Sequence, residues 1–263
     1  MQNHEIDYRI FGEEMQFVEV ELDYNETAIA EPGAFMMMDD GVIMETMFGD
    51  GSQQNNSIFG KLLNAGKRML TGESLFMTAF TNVNHGKRRV SFASPYPGKI
   101  IPLDLSQYNN RIICQKDSFL CAAKGVSVGI EFQRKLGTGL FGGEGFIMQK
   151  LEGDGMSFLH AGGHVFKRDL HPSETLKIDT GCIVGFTSSV NYDIQFVGGI
   201  KNTIFGGEGL FFATLTGPGT VWIQTLPISR LAGRILQYGV GPRKEEGSIL
   251  GGLGNLLDGD GRW

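Results

Sequence analysis

Period-two alternation dominates this chain. Val126-Ser127-Val128-Gly129-Ile130-Glu131-Phe132 puts its large apolar side chains on one face and small or polar ones on the other, as a strand with one solvated face requires. Tyr192-Asp193-Ile194-Gln195-Phe196 alternates in the same way, and Leu176-Lys177-Ile178-Asp179 alternates up to a Thr-Gly turn. Residues 118–122 and 181–186 are instead almost unbroken small and apolar runs, the pattern of strands covered on both faces. Short strands punctuated by Gly, Pro and Asn predict a sandwich or barrel.

The pattern also repeats. Phe141-Gly142-Gly143-Glu144-Gly145 returns as Phe205-Gly206-Gly207-Glu208-Gly209, an offset of 64 residues, and Val126, Ile130 and Phe132 meet Val190, Ile194 and Phe196 at the same offset. A more diverged copy, Leu70-Thr71-Gly72-Glu73-Ser74, lies upstream. Glu26-Thr27 and Pro32-Gly33-Ala34-Phe35 match Glu174-Thr175 and Thr180-Gly181-Cys182-Ile183 at an offset of 148, and Ser91-Phe92 aligns with Ser157-Phe158. A repeat of this kind sets the architecture. It predicts an all-β fold of three tandem β-roll or sandwich-like units, arranged with pseudo-threefold symmetry, with at most one or two short helices. The units run from about 6 to 105, 106 to 170 and 171 to 235 within one β domain spanning 1–240. One short amphipathic helix is expected near 58–70, where Ile58, Phe59, Leu62, Leu63, Met69 and Leu70 have rough helical spacing. Residues 241–263 are rich in Gly and Leu without a strand period, and read as a flexible tail.

Composition narrows the class. Of 263 residues 39 are glycine, which favours many turns over long helices. The formal charge is −6, and Lys87-Arg88-Arg89 is the densest basic run. A phosphate backbone needs clustered positive charge, so nucleic acid is not an expected partner. Three cysteines, Cys114, Cys121 and Cys182, are too few and too irregular for a disulfide framework. Cys121 and Cys182 lie in apolar strands and read as buried, inert thiols. With a polar start and no apolar run approaching about 20 residues, the chain reads as soluble and cytoplasmic.

Candidate chemistry is sparse. Glu73, Glu144 and Glu208 recur at the glycine turns. A converging ring of them could hold a hard cation; alternatively each accepts hydrogen bonds from its own turn, and that structural role is the preferred reading. His160, His164 and His171 form the weak metal candidate: 160 and 164 share a strand face by parity, but two glycines separate them and none recurs in the other units. No nucleophile elbow, phosphate loop or dinucleotide fingerprint is present, so no catalytic residue and no cofactor is assigned. In Met36-Met37-Met38, the first and third are expected in the core and the second against a neighbouring subunit.

Arg68-Met69-Leu70-Thr71-Gly72-Glu73-Ser74-Leu75-Phe76, Pro95-Tyr96-Pro97-Gly98, Phe141-Gly142-Gly143-Glu144-Gly145-Phe146, residues 193–202 and Gly217-Pro218-Gly219 follow one another in a known order. From about Ile6 to Ile235 the chain resembles the bacterial branch of the "altered inheritance of mitochondria, twenty-four" family. The resemblance implies a fold similar to the tryptophan RNA-binding attenuation protein and a homo-oligomer such as a trimer. It also implies kinship with organisers of the mitochondrial inner membrane. The expectation is therefore a non-enzymatic oligomeric scaffold or interaction protein, partnered by itself and by a protein or membrane surface. The alternative is a small-ligand or metal-binding β-roll, with an enzyme as one form of it.

Overall fold

A computed structural model of the protein describes residues 4–48, 76–134, 146–197 and 210–239. The segment read as helical near 58–70 and the tail from 241 lie outside the described residues, as do Glu73, Glu144 and Glu208.

The described chain is all-β with one α-helix. The first strands are β1 (Asp7–Phe11), β2 (Phe17–Leu22), β3 (Thr27–Ala30), β4 (Phe35–Met38) and β5 (Val42–Phe48). There follow β6 (Phe76–Asn82), β7 (Arg88–Ala93), β8 (Gly98–Asp104), β9 (Arg111–Gln115), β10 (Phe119–Ala123) and β11 (Ser127–Arg134). The rest are β12 (Phe146–Glu152), β13 (Met156–Gly162), β14 (Val165–Leu170), β15 (Thr175–Asp179), β16 (Ile183–Thr187), β17 (Asn191–Val197), β18 (Leu210–Thr216) and β19 (Gly219–Gln224). The alternating and apolar segments read from the sequence fall in β10, β11, β15, β16 and β17.

These strands make four antiparallel sheets: β1-β2-β7-β4, β5-β6-β3-β10-β13-β8, β11-β12-β9-β16-β19-β14 and β15-β18-β17. Each six-stranded sheet joins strands distant in sequence. In the second, β3 meets β10 with Ala28, Ile29 and Ala30 opposite Ala123, Ala122 and Cys121. In the third, β9 meets β16 with Ile112, Ile113 and Cys114 opposite Thr187, Phe186 and Gly185. The second junction is the first displaced by 84 residues on one strand and 64 on the other.

One irregularity also recurs. The register slips by a bulge between Phe35 and Met37 on β7, between Phe119 and Cys121 on β13, and between Ile183 and Gly185 on β19. A bulge leaves one residue unpaired and bends the strand. This pairing corrects one detail of the sequence alignment: Ser91, opposite Met37, and not Phe92, takes the place that Phe158 holds opposite Cys121. Left-handed residues open the corresponding turns at Asn25, Asn109 and Ser173, at the same offsets of 84 and 64.

Three cores lie between successive sheets. Val18, Val20, Val90 and Phe92 of the first sheet close on Ala28, Phe80, Cys121 and Phe158 of the second. Ile29, Leu103 and Leu159 meet Ile112, Cys114 and Trp222. Ile113, Met148, Phe186 and Val221 meet Ile178, Ile194 and Leu215. Phe80, Phe92, Phe146, Phe158 and Phe186 are fully enclosed, each stabilising the fold by about 1.5–3 kcal/mol relative to exposure.

The chain divides into a unit from Met1 to Ile228 and a second from Ser229 to Trp263. Helix α1 (Ile228–Gly239), all but its first residue in the second unit, carries Ile228, Leu231, Ala232, Ile235 and Leu236 at helical spacing. The repeat pattern, which extends the third β unit through this segment, predicts no helix there. No helix among the described residues is long and apolar enough to cross a membrane.

Candidate interaction site

The feature of the β body that stands out against its cores is β4. It forms an edge of the first sheet, bonded among the described residues to β7 on one side only. Phe35, Met36, Met37 and Met38 are 42%, 48%, 44% and 40% exposed. Met36 and Met38, expected in the core, are not buried; the correction follows from the bulge, which twists the strand, and from the lack of a strand beyond it among the described residues. Phe35 stacks on Phe80 with ring centroids 5.5 Å apart, so that one face of β4 is anchored. An exposed apolar edge strand invites pairing with another strand. At the other end of the sheet order, β15 is also an edge, bonded among the described residues only to β18.

A polar cluster marks the internal β3–β10 junction. His160 on β13 is buried, stands edge-on to the Tyr96 ring at 4.2 Å between centroids, and hydrogen-bonds to the Asp117 backbone. Burial pushes its imidazole down to about 4, and the bond to Asp117 pulls weakly the other way. Its Nε2 is buried without a partner among the described residues. Glu31, which follows β3, is pushed up to about 7 by burial and then by the nearby charge of Asp117, with Lys116 opposing. Burial also pushes up the Tyr96 hydroxyl and the Cys114 thiol.

The next junction solves the same problem differently. Gln224, 64 residues beyond His160, donates from Nε2 to the Gly181 carbonyl at 2.9 Å and accepts from the Gly162 N–H at 2.8 Å. Gly181 lies 64 residues beyond Asp117. His160 and Gln224 thus tie down the residue that enters β10 and β16 respectively. This role accounts for His160 without a metal.

His164 and His171 are exposed and are not gathered with it. The His164 N–H donates to Thr225 Oγ1 at 2.9 Å. The His171 N–H donates to Glu174 Oε2 at 2.9 Å, and the Asp23 N–H donates to Glu26 Oε2 at 2.7 Å. Glu26 and Glu174, the sequence-matched pair, clamp equivalent turns. Among the described residues no three His, Cys, Asp or Glu side chains are grouped as a metal site.

Charge elsewhere is also committed. Lys87 pairs with Asp7 and Glu21, and Arg89 with Glu19 and Glu21, so the basic run lies against an acidic strand. A cleft of about 580 Å³ is lined by His4, Asp7, Asp23, Glu26, Asp104 and Asp154, with others. Thr27 N–H donates to His4 Nδ1, and Asp104 accepts from Ser106 and Gln107. Cys121 is buried as expected, whereas Cys182, also expected to be buried, is half-buried; Cys114, for which no burial was expected, is buried too.

Comparison with known proteins follows the β body. A family model described as "Mitochondrial biogenesis AIM24" matches residues 8–226. An uncharacterised protein of Streptococcus pyogenes is 30% identical over 230 residues, covering 85% of this chain and 88% of its own. The crystal structure of another Streptococcus pyogenes protein superposes with a TM-score of 0.69 at 24% identity, over 89% of this chain and 99% of that one. The match spans the strands of all four sheets, and on it the chain belongs to the mitochondrial biogenesis AIM24 family.

Proposed function

We propose that this protein is a non-enzymatic, homo-oligomeric scaffold or interaction protein, built from three copies of one β unit. The observation that carries the reading is β4: four consecutive large apolar side chains, 40–48% exposed, on an edge strand bonded on one side only among the described residues. Leaving such an edge bare favours aggregation, and proteins that keep one use it. The recurring bulge and the displaced junction register support the three-copy reading. Several ionisable groups that sequence singles out have structural roles: His160 secures a strand entry, Glu26 and Glu174 clamp turns, and two thiols are enclosed.

Light scattering on the full chain across a concentration range tests it. A discrete mass that is a multiple of 28.8 kDa is expected; a monomer at every concentration would overturn the reading. Association with a membrane surface is the part of the proposal that rests on family kinship. Liposome flotation at low salt checks it, with protein left in the soluble fraction counting against it.

A further inference from the structure

The two edges β4 and β15 are the two halves of a junction that the chain makes twice within itself. At the β3–β10 junction, residues 28, 29 and 30 face 123, 122 and 121. At the β9–β16 junction, residues 112, 113 and 114 face 187, 186 and 185. One further step of 64 carries the β9 residues onto Leu176, Lys177 and Ile178 of β15. One step of 84 backwards carries the β10 residues onto Met37, Met38 and Asp39, at the end of β4. The bulge checks this register independently, because Met37 sits after the slip on β7 as Cys121 does on β13 and Gly185 on β19.

We propose that β4 of one copy pairs antiparallel with β15 of a second copy, with Met37 opposite Ile178, Met38 opposite Lys177 and Asp39 opposite Leu176. This rests on the self-assembly reading and names its interface. Backbone bonds would join the first sheet of one copy to the fourth of the next, making a composite like the two six-stranded sheets. Strand addition at an open edge supplies affinity through the main chain and specificity through alternate side chains.

Side-chain exposure fits the same junction. Leu120 and Cys121 sit in the core that also holds Ala28 and Ala30. The displaced equivalents are Met36 and Met37 with Leu176 and Ile178. Met36 and Met37, bare in the single chain, would therefore close the core of the second copy around Ile178 and Leu176, which belong to its last hydrophobic cluster. Phe35, already stacked on Phe80 of its own chain, would remain there. The contact is head-to-tail: a surface meets a different surface, so assembly ends only when the rotation closes a ring.

The experiment is disulfide trapping on the full chain. Met38→Cys and Lys177→Cys both replace exposed residues, so the fold is not at stake. The double variant, oxidised after its mass has been measured by light scattering, is expected to give covalent dimers and higher species. Met38→Cys alone and Lys177→Cys alone are expected to give none above wild type. If the protein is oligomeric but the double variant gives no crosslink between chains, this interface is wrong and the scaffold reading survives. A crosslink from Met38→Cys alone would show a symmetric β4–β4 contact and overturn the proposal, as would a 38–177 disulfide confined within one chain. A monomer throughout overturns both proposals.

Discussion

At the residue scale, buried His160 and half-buried Glu31 are ionisable groups at one junction, and their effects on stability have opposite signs. The Glu31 carboxyl is raised from 4.5 to about 7 in the folded chain, so the folded state holds a proton that the unfolded state releases. Its contribution is complete below pH 4.5 and is lost as pH rises through 7. The His160 imidazole is lowered from 6.5 to about 4. Its contribution is complete above pH 6.5 and is lost as pH falls through 4. Between about pH 4.5 and 6.5 the two slopes oppose. Urea denaturation across this range is expected to show a shallow dependence for the natural chain. Glu31→Gln should unmask a rise in stability with pH of up to about 3 kcal/mol, since each tenfold change in proton affinity is worth about 1.4 kcal/mol. His160→Gln should unmask a fall. Loss of both slopes from the single variants would refute the pairing. The same logic predicts which His160 replacement folds best. Because its bond to Asp117 favours the protonated ring, the imidazole is the donor and the Asp117 carbonyl the acceptor. Gln can donate there as Gln224 does to Gly181. His160→Gln should therefore cost less than about 1 kcal/mol at pH 7.5, and His160→Leu about 0.5–1.5 kcal/mol more, because the Asp117 carbonyl loses its donor.

At the element scale, the edge strand β4 and a tightly packed glycine of β13 make separate predictions. Met37→Lys places a charge on β4 where edge strands commonly carry one for protection. It is expected to reduce the mass seen by light scattering while leaving the stability of the isolated chain within the range of ordinary surface changes, about 0.5 kcal/mol. An unchanged mass would remove β4 from the interface. Gly162 ends β13 in a space bounded by the Leu226 carbonyl and by the Tyr96 ring, whose Cε2 would lie 2.8 Å from an added Cβ. Backbone cannot yield as a flexible side-chain tip can, so Gly162→Ala should destabilise by about 1–3 kcal/mol in chemical denaturation. What is legible in the sequence at this scale is each strand taken alone. Alternation finds β11, β15 and β17, and apolar runs find β10 and β16, because a side-chain period is local. Strand partners are not legible: nothing in Ala28-Ile29-Ala30 says that its neighbour lies near residue 122. The exposure of Met36 and Met38 escapes for the same reason, since a methionine on an edge strand has the spacing of one in a core. Helix α1 does carry a signal, Ile228, Leu231, Ala232, Ile235 and Leu236 at intervals of three and four, but extension of the β repeat to 235 masks it. Similarly, parity with His164 makes His160 a candidate metal ligand, whereas the position that explains it is Gln224.

At the scale of the whole molecule, the two edges of the proposed interface, β4 and β15, lie in the β body from Met1 to Ile228. Removing residues 241–263 is therefore expected to leave the number of subunits unchanged by light scattering, with each subunit lighter by the deleted segment. Dissociation on truncation would move the interface to the tail. The sheet topology also has a consequence in time. During synthesis the amino-terminal strands emerge first, yet β3 cannot acquire its partner β10 until residues 119–123 appear, and β9 waits for residues 183–187. Non-local pairings of this kind slow folding and leave nascent edges open while they wait. On the proposed interface, the free side of β15 is filled only by another molecule, so that last strand pairing would be a second-order event. Its rate would depend on how many copies are present, and translation level would then govern maturation as well as abundance.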